Sequence, residues 1–234
     1  MTAGQGAPVA LLGGTFDPVH YGHLRPAIEL LEGLGLSELR LVPGHVPPHR
    51  PQPRLDAATR CALLETAAAD IPGLVVDRRE LMRSGPSYTV DTLAGLRREL
   101  GPDRPLCFVM GSDAFRGLMQ WHRWRELIDQ AHLVVTTRGG DTAPMSEALA
   151  EWLAPRRARR PGELRNAPAG RIWFHPVSRL EISATAIRGL LARGFSVQGL
   201  TPDTVWQRLA ATGLYGYPQA SRATGPWRLH SHYD

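Results

Sequence analysis

Short apolar runs alternate with segments of helical period along most of this chain, and that alternation restricts the folds open to it. Val9 to Leu12 leads through a glycine turn into a helical segment from about Gly22 to Leu34. Leu39 to Val42 precedes a helix over Asp56 to Ala69, and Leu74 to Val76 precedes one over Thr89 to Leu100. Leu106 to Met110 and Leu133 to Thr136 extend the series. Ile172 to Phe174 comes before a helix at Thr185 to Leu191, and a last helix starts at Pro202, a residue suited to a first turn, and runs to Ala211. Parallel neighbours need a crossover long enough to hold a helix, so strands separated by helices predict a parallel sheet covered on both faces. The fold expected is α/β, a Rossmann-like doubly wound parallel sheet.

The 234 residues suffice for one such core, and a composition of 43% hydrophobic and 21% charged residues predicts that most of the chain folds. A single domain is expected over residues 1–217. Residues 139–170, rich in Arg, Pro and Ala around a short apolar helix near Leu149 to Leu153, read as an insertion or exposed connection. Residues 218–234 carry no periodicity and are expected to be a disordered tail. No window approaches the roughly 18 apolar residues of a membrane span, and the N-terminus lacks a basic region followed by an apolar stretch, so the cytoplasm is the expected location.

Cys61 and Cys107 are the only cysteines, too few for a disulfide framework or a thiolate metal site, and both are expected in the core. Lys and Arg number 27 against 22 Asp and Glu, a net charge of +5 that suits an anionic ligand. Arg156, Arg157, Arg159 and Arg160 form the one basic cluster. It lacks the interleaved aromatics of a nucleic-acid surface, so no nucleic-acid partner is expected, and it reads as a solvated loop.

The densest chemistry lies in GGTFDPVHYGH, Gly13 to His23, between the first strand and the first helix. In a parallel sheet this is the carboxyl end of a strand, where ligands bind, and the start of a helix offers free N–H groups to anions. Gly13 and Gly14 permit a tight turn and a close approach of ligand to backbone. His20 and His23 stand at the mouth of the helix, where imidazoles donate to phosphate oxygens and stabilise charge developing on them. Zinc ligation would need a third ligand, and none is near, so no resident metal is expected. A second stretch, ISATAIR from Ile182 to Arg188, sets Ser183 and Thr185 at a helix start with Arg188 one turn on. Helix capping and anion binding both remain open there.

The Gly13 to His23 string resembles the signature of the HxGH nucleotidyltransferase superfamily, and in particular its bacterial nicotinate-nucleotide adenylyltransferase branch. The resemblance runs from about Val9 to Tyr215. It implies ATP contacts from Gly13, Gly14, Thr15, Phe16, His20, His23, Ser183, Thr185 and Arg188. His20, His23 and Arg188 are then the catalytic group, and Mg2+ arrives with the nucleotide. It also implies that nicotinate mononucleotide is the acceptor.

Three segments are candidates for the acceptor. VPGHVPPHR, Val42 to Arg50, places His45, His49 and Arg50 on a proline-stiffened loop; in the similar branch a Lys often follows PPH, and Arg50 stands here instead. PSYTVDTL, Pro86 to Leu93, opens a helix; Ser87, Thr89 and Asp91 suit caps, and the resemblance assigns Tyr88 and Thr89 to the acceptor pocket. In MGSDAFRGLMQWHRW, Met110 to Trp124, Asp113 suits ribose hydroxyls. Trp121 suits a flat ring or the core, and Trp124 the core. Nicotinamide mononucleotide and pantetheine phosphate remain alternative acceptors, and a non-catalytic nucleotide-binding protein is the rival from another class. Oligomeric state is not legible.

Overall fold

The computed structural model describes residues 6–44, 52–83, 85, 87–139 and 143–219. Six strands form one parallel sheet: β1 (Val9–Gly14), β2 (Glu38–Pro43), β3 (Leu74–Val76), β4 (Leu106–Gly111), β5 (His132–Thr137) and β6 (Ile172–Pro176). The helices are α1 (Tyr21–Leu34), α2 (Ala57–Ala68), α3 (Thr89–Leu100), α4 (Ser112–Arg116), α5 (Leu127–Gln130), α6 (Glu147–Leu153), α7 (Ala184–Ala192) and α8 (Asp203–Thr212). The sheet order is β3-β2-β1-β4-β5-β6. Chain direction across the sheet therefore reverses between β1 and β4, which opens a crevice beyond their carboxyl ends. Among the described residues no helix is long and apolar enough to cross a membrane.

Strand alternation divides the core into two layers. Ala10, Leu39, Leu41, Cys107, Val109 and Val134 face one side, where they meet Leu24, Leu30, Leu63, Leu64, Ile187 and Leu209 of α1, α2, α7 and α8. Val9, Leu11, Leu106, Phe108, Leu133 and Val135 face the other side and meet Leu93, Leu96, Leu127 and Leu149 of α3, α5 and α6. Local chemistry sets the helix ends. Asp56 accepts from the Thr59 N–H at 2.8 Å at the start of α2, and Gly35, at φ 56°, closes α1 in the left-handed conformation. Pro202 precedes the first turn of α8 rather than opening it.

Residues 139–170 are more than an exposed connection. Leu149, Leu153, Ala158 and Leu164 are buried, and the Ala158 N–H donates to the Ile172 carbonyl at 2.8 Å, covering part of the sheet's edge. Arg156 and Arg157 lie over the rings of Trp152 and Phe174. Cys61 and Cys107 are buried as expected. The disordered tail expected at 218–234 falls, from residue 220 on, outside the described residues.

At the opposite end from the crevice, Arg97 donates to the carbonyls of Gly101, Arg104, Gln130 and Pro168 at 2.6–3.2 Å. One guanidinium thus ties α3 to the ends of three later segments. Arg97→Ala strips those carbonyls of a charged donor together, and unsatisfied partners of this kind cost about 2–4 kcal/mol. Urea denaturation should show a loss in that range.

Candidate active site

The glycines at the strand ends divide into two kinds. A Cβ built on Gly13 or Gly111 meets nothing within 4 Å, so both face the open crevice at the ends of β1 and β4. A Cβ on Gly14 would lie 2.8 Å from the Phe16 ring. Phe16 itself adopts a left-handed φ of 49° and is buried, with its ring edge-on to His23 at 5.1 Å. Its side chain therefore supports His23 from beneath instead of lining the crevice. Thr15 lends its carbonyl to the Arg60 guanidinium at 2.6 Å.

His20 is the N-cap of α1, and His23 lies in its first turn. Their rings stack with centroids 3.8 Å apart, and both Nδ1 atoms are buried without a hydrogen-bond partner among the described residues. Burial, reinforced by Arg138 at the end of β5, lowers the His20 pKa to about 4. Burial, then His20, then Arg138 lower that of His23 to about 3. At neutral pH both rings are uncharged, and each has one N–H to donate. A Cβ on Gly22 would lie 2.8 Å from the His20 ring and 3.1 Å from the Ile182 carbonyl, so glycine lets the start of α1 approach the second motif without displacing either.

In that motif Ser183 caps α7, accepting from the Ala186 N–H at 3.1 Å. Thr185 accepts from Arg188 at 3.1 Å, and Arg188 also donates to the Asp17 carbonyl at 2.7 Å. The two motifs, far apart in sequence, thus share one side of the crevice. Asp17 joins them in a way the sequence did not disclose. Its buried carboxylate accepts from the Arg54 N–H at 2.8 Å, the Leu55 N–H at 3.4 Å and the Tyr215 hydroxyl at 2.7 Å. Arg60, 1% exposed, donates to the carbonyls of Thr15, Gly44 and Leu55. Among the described residues no group of three or more His, Cys, Asp or Glu could hold a metal ion.

Across the crevice, α3 begins at Thr89 as expected, but its N-cap is Tyr88, which makes no side-chain cap. Tyr88, not Ser87, therefore stands at the N-cap position, and its side chain does not cap the helix. The Tyr88 ring lies 4.2 Å from that of His122. Glu80 accepts from Thr92 at 2.9 Å, and burial raises its pKa. Trp121 is half-buried, edge-on to Phe108 at 6.1 Å, whereas Trp124 is in the core against Trp152. Asp113 is exposed on α4 and pairs with Arg116. His45, His49 and Arg50 lie outside the described residues.

Comparison with known proteins gives a consistent result. Residues 11–190 match the family model described as cytidylyltransferase-like. A protein of Halorhodospira halophila named "Probable nicotinate-nucleotide adenylyltransferase" is 55% identical over 211 residues, 90% of this chain and 96% of its own length. One of the same name from Aeromonas hydrophila is 50% identical over 208 residues, 89% of this chain and 97% of its own. The structure of Plasmodium falciparum nicotinic acid mononucleotide adenylyltransferase complexed with NaAD aligns with a TM-score of 0.66 at 16% identity, covering 91% of this chain and 99% of its own. That likeness establishes the fold.

The depressed histidines link stability to pH. Both folded values lie below the ordinary 6.5, so on acidification the unfolded chain takes up protons first. The stability contributed by the neutral pair is whole above about pH 6.5 and is lost progressively down to about pH 4 and below. The melting temperature of the ligand-free protein should fall across that window, and His20→Asn/His23→Asn should flatten the fall.

Proposed function

This chain belongs to the cytidylyltransferase-like family, among its nicotinate-nucleotide adenylyltransferases, and from that premise we propose how its residues divide the work of the reaction. The enzyme transfers the adenylyl group of ATP to nicotinate mononucleotide, giving nicotinate adenine dinucleotide and pyrophosphate, a step of NAD biosynthesis. An oxygen of the acceptor's phosphate attacks the α-phosphorus as the bond to pyrophosphate breaks in line. The attacking phosphate is already ionised, so no general base is required, and the protein's task is alignment and charge stabilisation.

The observation that carries the assignment of roles is the stacked neutral pair His20 and His23 beside the start of α7. His23 donates to the α-phosphate and His20 shares the triphosphate. Ser183, Thr185 and Arg188 hold the outer phosphates, and Gly13 and Gly14 let the nucleotide lie against the backbone. Thr15 and Phe16 act through main chain and packing, as their contacts favour. Arg138, which the sequence reading passed over, adds positive charge at the end of β5. Nucleotidyltransferases generally use a divalent metal. Mg2+ brought with ATP would be held mainly by the phosphates and water and would neutralise charge there; the buried carboxylate of Asp17 is occupied by protein donors.

On the acceptor side Trp121 stacks on the pyridine ring, and Asp113 takes ribose hydroxyls. His49 and Arg50 meet the phosphate. The uncapped start of α3 at Tyr88 and Thr89 receives the ring carboxylate. Residues 1–217 act as one domain, and the enzyme works in the cytoplasm, where its nucleotide substrates are.

His23→Ala should lower turnover by about 10²-fold with the fold kept, because a donor aimed at transition-state charge is lost. Retention of near-native turnover in pyrophosphate-release assays would remove His23 from the mechanism. A pocket offering donors favours a carboxylate over an amide, so nicotinate mononucleotide should exceed nicotinamide mononucleotide at least about tenfold in kcat/KM, on the order of 1.4 kcal/mol. Thr89→Val should narrow that ratio and Trp121→Ala should weaken both acceptors alike, as parallel kinetics with the two would register.

A further inference from the structure

Asp17 carries a negative charge almost wholly withdrawn from water, at 5% exposure, within the phosphate-binding loop of an enzyme whose substrates are polyanions. Nothing in the chemistry calls for a carboxylate there, and its Oδ2 lies only 3.8 Å from Nη1 of Arg188, the guanidinium proposed for ATP. Left to themselves, a buried carboxylate and a guanidinium at that separation close into a charge-assisted, often bidentate pair. Here they stand at ion-pair distance but make no hydrogen bond to each other. Arg188 instead donates to the neutral main-chain carbonyl of Asp17 at 2.7 Å and to Thr185. The carboxylate's lone pairs are taken by three other donors, the N–H groups of Arg54 and Leu55 and the hydroxyl of Tyr215.

Of these donors, only Tyr215 reaches Asp17 through a side chain. It does so from a turn at Leu214–Gly216, held at a left-handed φ of 59°, uncommon outside glycine and sustained only where surrounding contacts compensate. Gly213 at φ 66° and Gly216 at φ 79° flank it. Burial and the Asp17 charge push the Tyr215 pKa upward, so the hydroxyl keeps its proton throughout the working range. Among the described residues, Arg60 also lies near Asp17, with its guanidinium on the carbonyls of Thr15, Gly44 and Leu55, whereas Arg188 is the cation within ion-pair distance of the carboxylate.

We infer that Tyr215 is a positioning residue for adenylyl transfer: by occupying the Asp17 carboxylate it keeps Arg188 from being captured by that charge and leaves the guanidinium available to the ATP phosphates. This rests on the assignment of Arg188 to ATP. It gives the closing turn of the chain a role in the use of one substrate and not the other, which a purely structural contact would not have.

The test is steady-state kinetics on the full-length enzyme, varying ATP and nicotinate mononucleotide in turn, with melting temperatures recorded for each variant. Tyr215→Phe removes one hydroxyl. It should raise the KM for ATP about tenfold and change that for nicotinate mononucleotide by less than about twofold. Adding Asp17→Asn to Tyr215→Phe removes the competing charge and should return the KM for ATP to within about threefold of the wild-type value, although it takes away a further native interaction. An unchanged KM for ATP in Tyr215→Phe, an equal rise in both Michaelis constants, or a double variant no better than the single one would overturn the inference. Should Tyr215→Phe fail to fold, Asp17→Asn alone decides: a KM for ATP at or below the wild-type value supports the inference, and a raised one overturns it. Arg188→Ala in the same assay tests the underlying assignment separately. If it leaves the KM for ATP unchanged, Arg188 does not meet ATP, whatever Tyr215 does.

Discussion

Two segments far apart in the sequence form one side of this crevice, and they come into close contact where residue 22 has no side chain. A single Cβ there would strike both the His20 ring and the Ile182 carbonyl. At 3.1 Å the carbonyl would have to give by a few tenths of an ångström, and the His20 ring, at 2.8 Å, would have to shift. Much else follows from that contact. It sets the start of α7, with its Ser183 cap, beside the start of α1, and it presses His20 onto His23 in a position shielded from water. The shielding keeps both imidazoles neutral, and a neutral ring offers a donor that needs no counter-ion.

The rest of the loop is held by buried charges distributed over the backbone. Arg60 and Asp17 are complementary in this respect: the guanidinium gathers carbonyls of Thr15, Gly44 and Leu55, while the carboxylate gathers N–H groups of Arg54 and Leu55. Main-chain groups supply most of the contacts of both, and the Tyr215 hydroxyl adds a side-chain donor to the carboxylate. The result fixes the turn after β1 against the segment leading into α2, so the donor and acceptor sides of the crevice are aligned before any ligand enters. Catalysis by alignment depends on this sort of rigidity, in which the ordering is complete before substrate binds.

The strands and long helices were legible because their signals are periodic: the strand and helix starts of the first half fall within a residue or two of the expected ones, and α3 begins at Thr89 as read. The phosphate loop was legible because its glycines and histidines are contiguous. What escaped was of two kinds. Helix α4 has five residues, too short for a 3.6-residue period to register. The Asp17 network escaped because its partners are distant: Tyr215 lies 198 positions away, Arg188 171 and Arg54 37. Nothing local to Asp17 marks it, and the Gly213 to Tyr215 ending reads as a turn until its hydroxyl is seen to reach back. Phe16 was grouped with the ATP contacts because it sits inside the string; its buried ring stands edge-on to His23, a packing contact the string alone does not reveal. The buried leucines of residues 149–164 were likewise obscured by the arginines and prolines around them.

The two thiols have a consequence of another kind. Cys107 is fully enclosed in β4 with its pKa pushed up to about 12, and Cys61 is 3% exposed on α2 with its pKa raised by burial and by Glu65. Thiol reagents act on the exposed thiolate, a form that neither residue presents near neutral pH. The native chain is thus a silent background for cysteine chemistry. One cysteine placed on the open rim of the crevice and another on the surface of α8 would be the sole reactive pair, and probes attached there would measure how the two faces of the sheet move as nucleotide enters, with no native residue needing replacement.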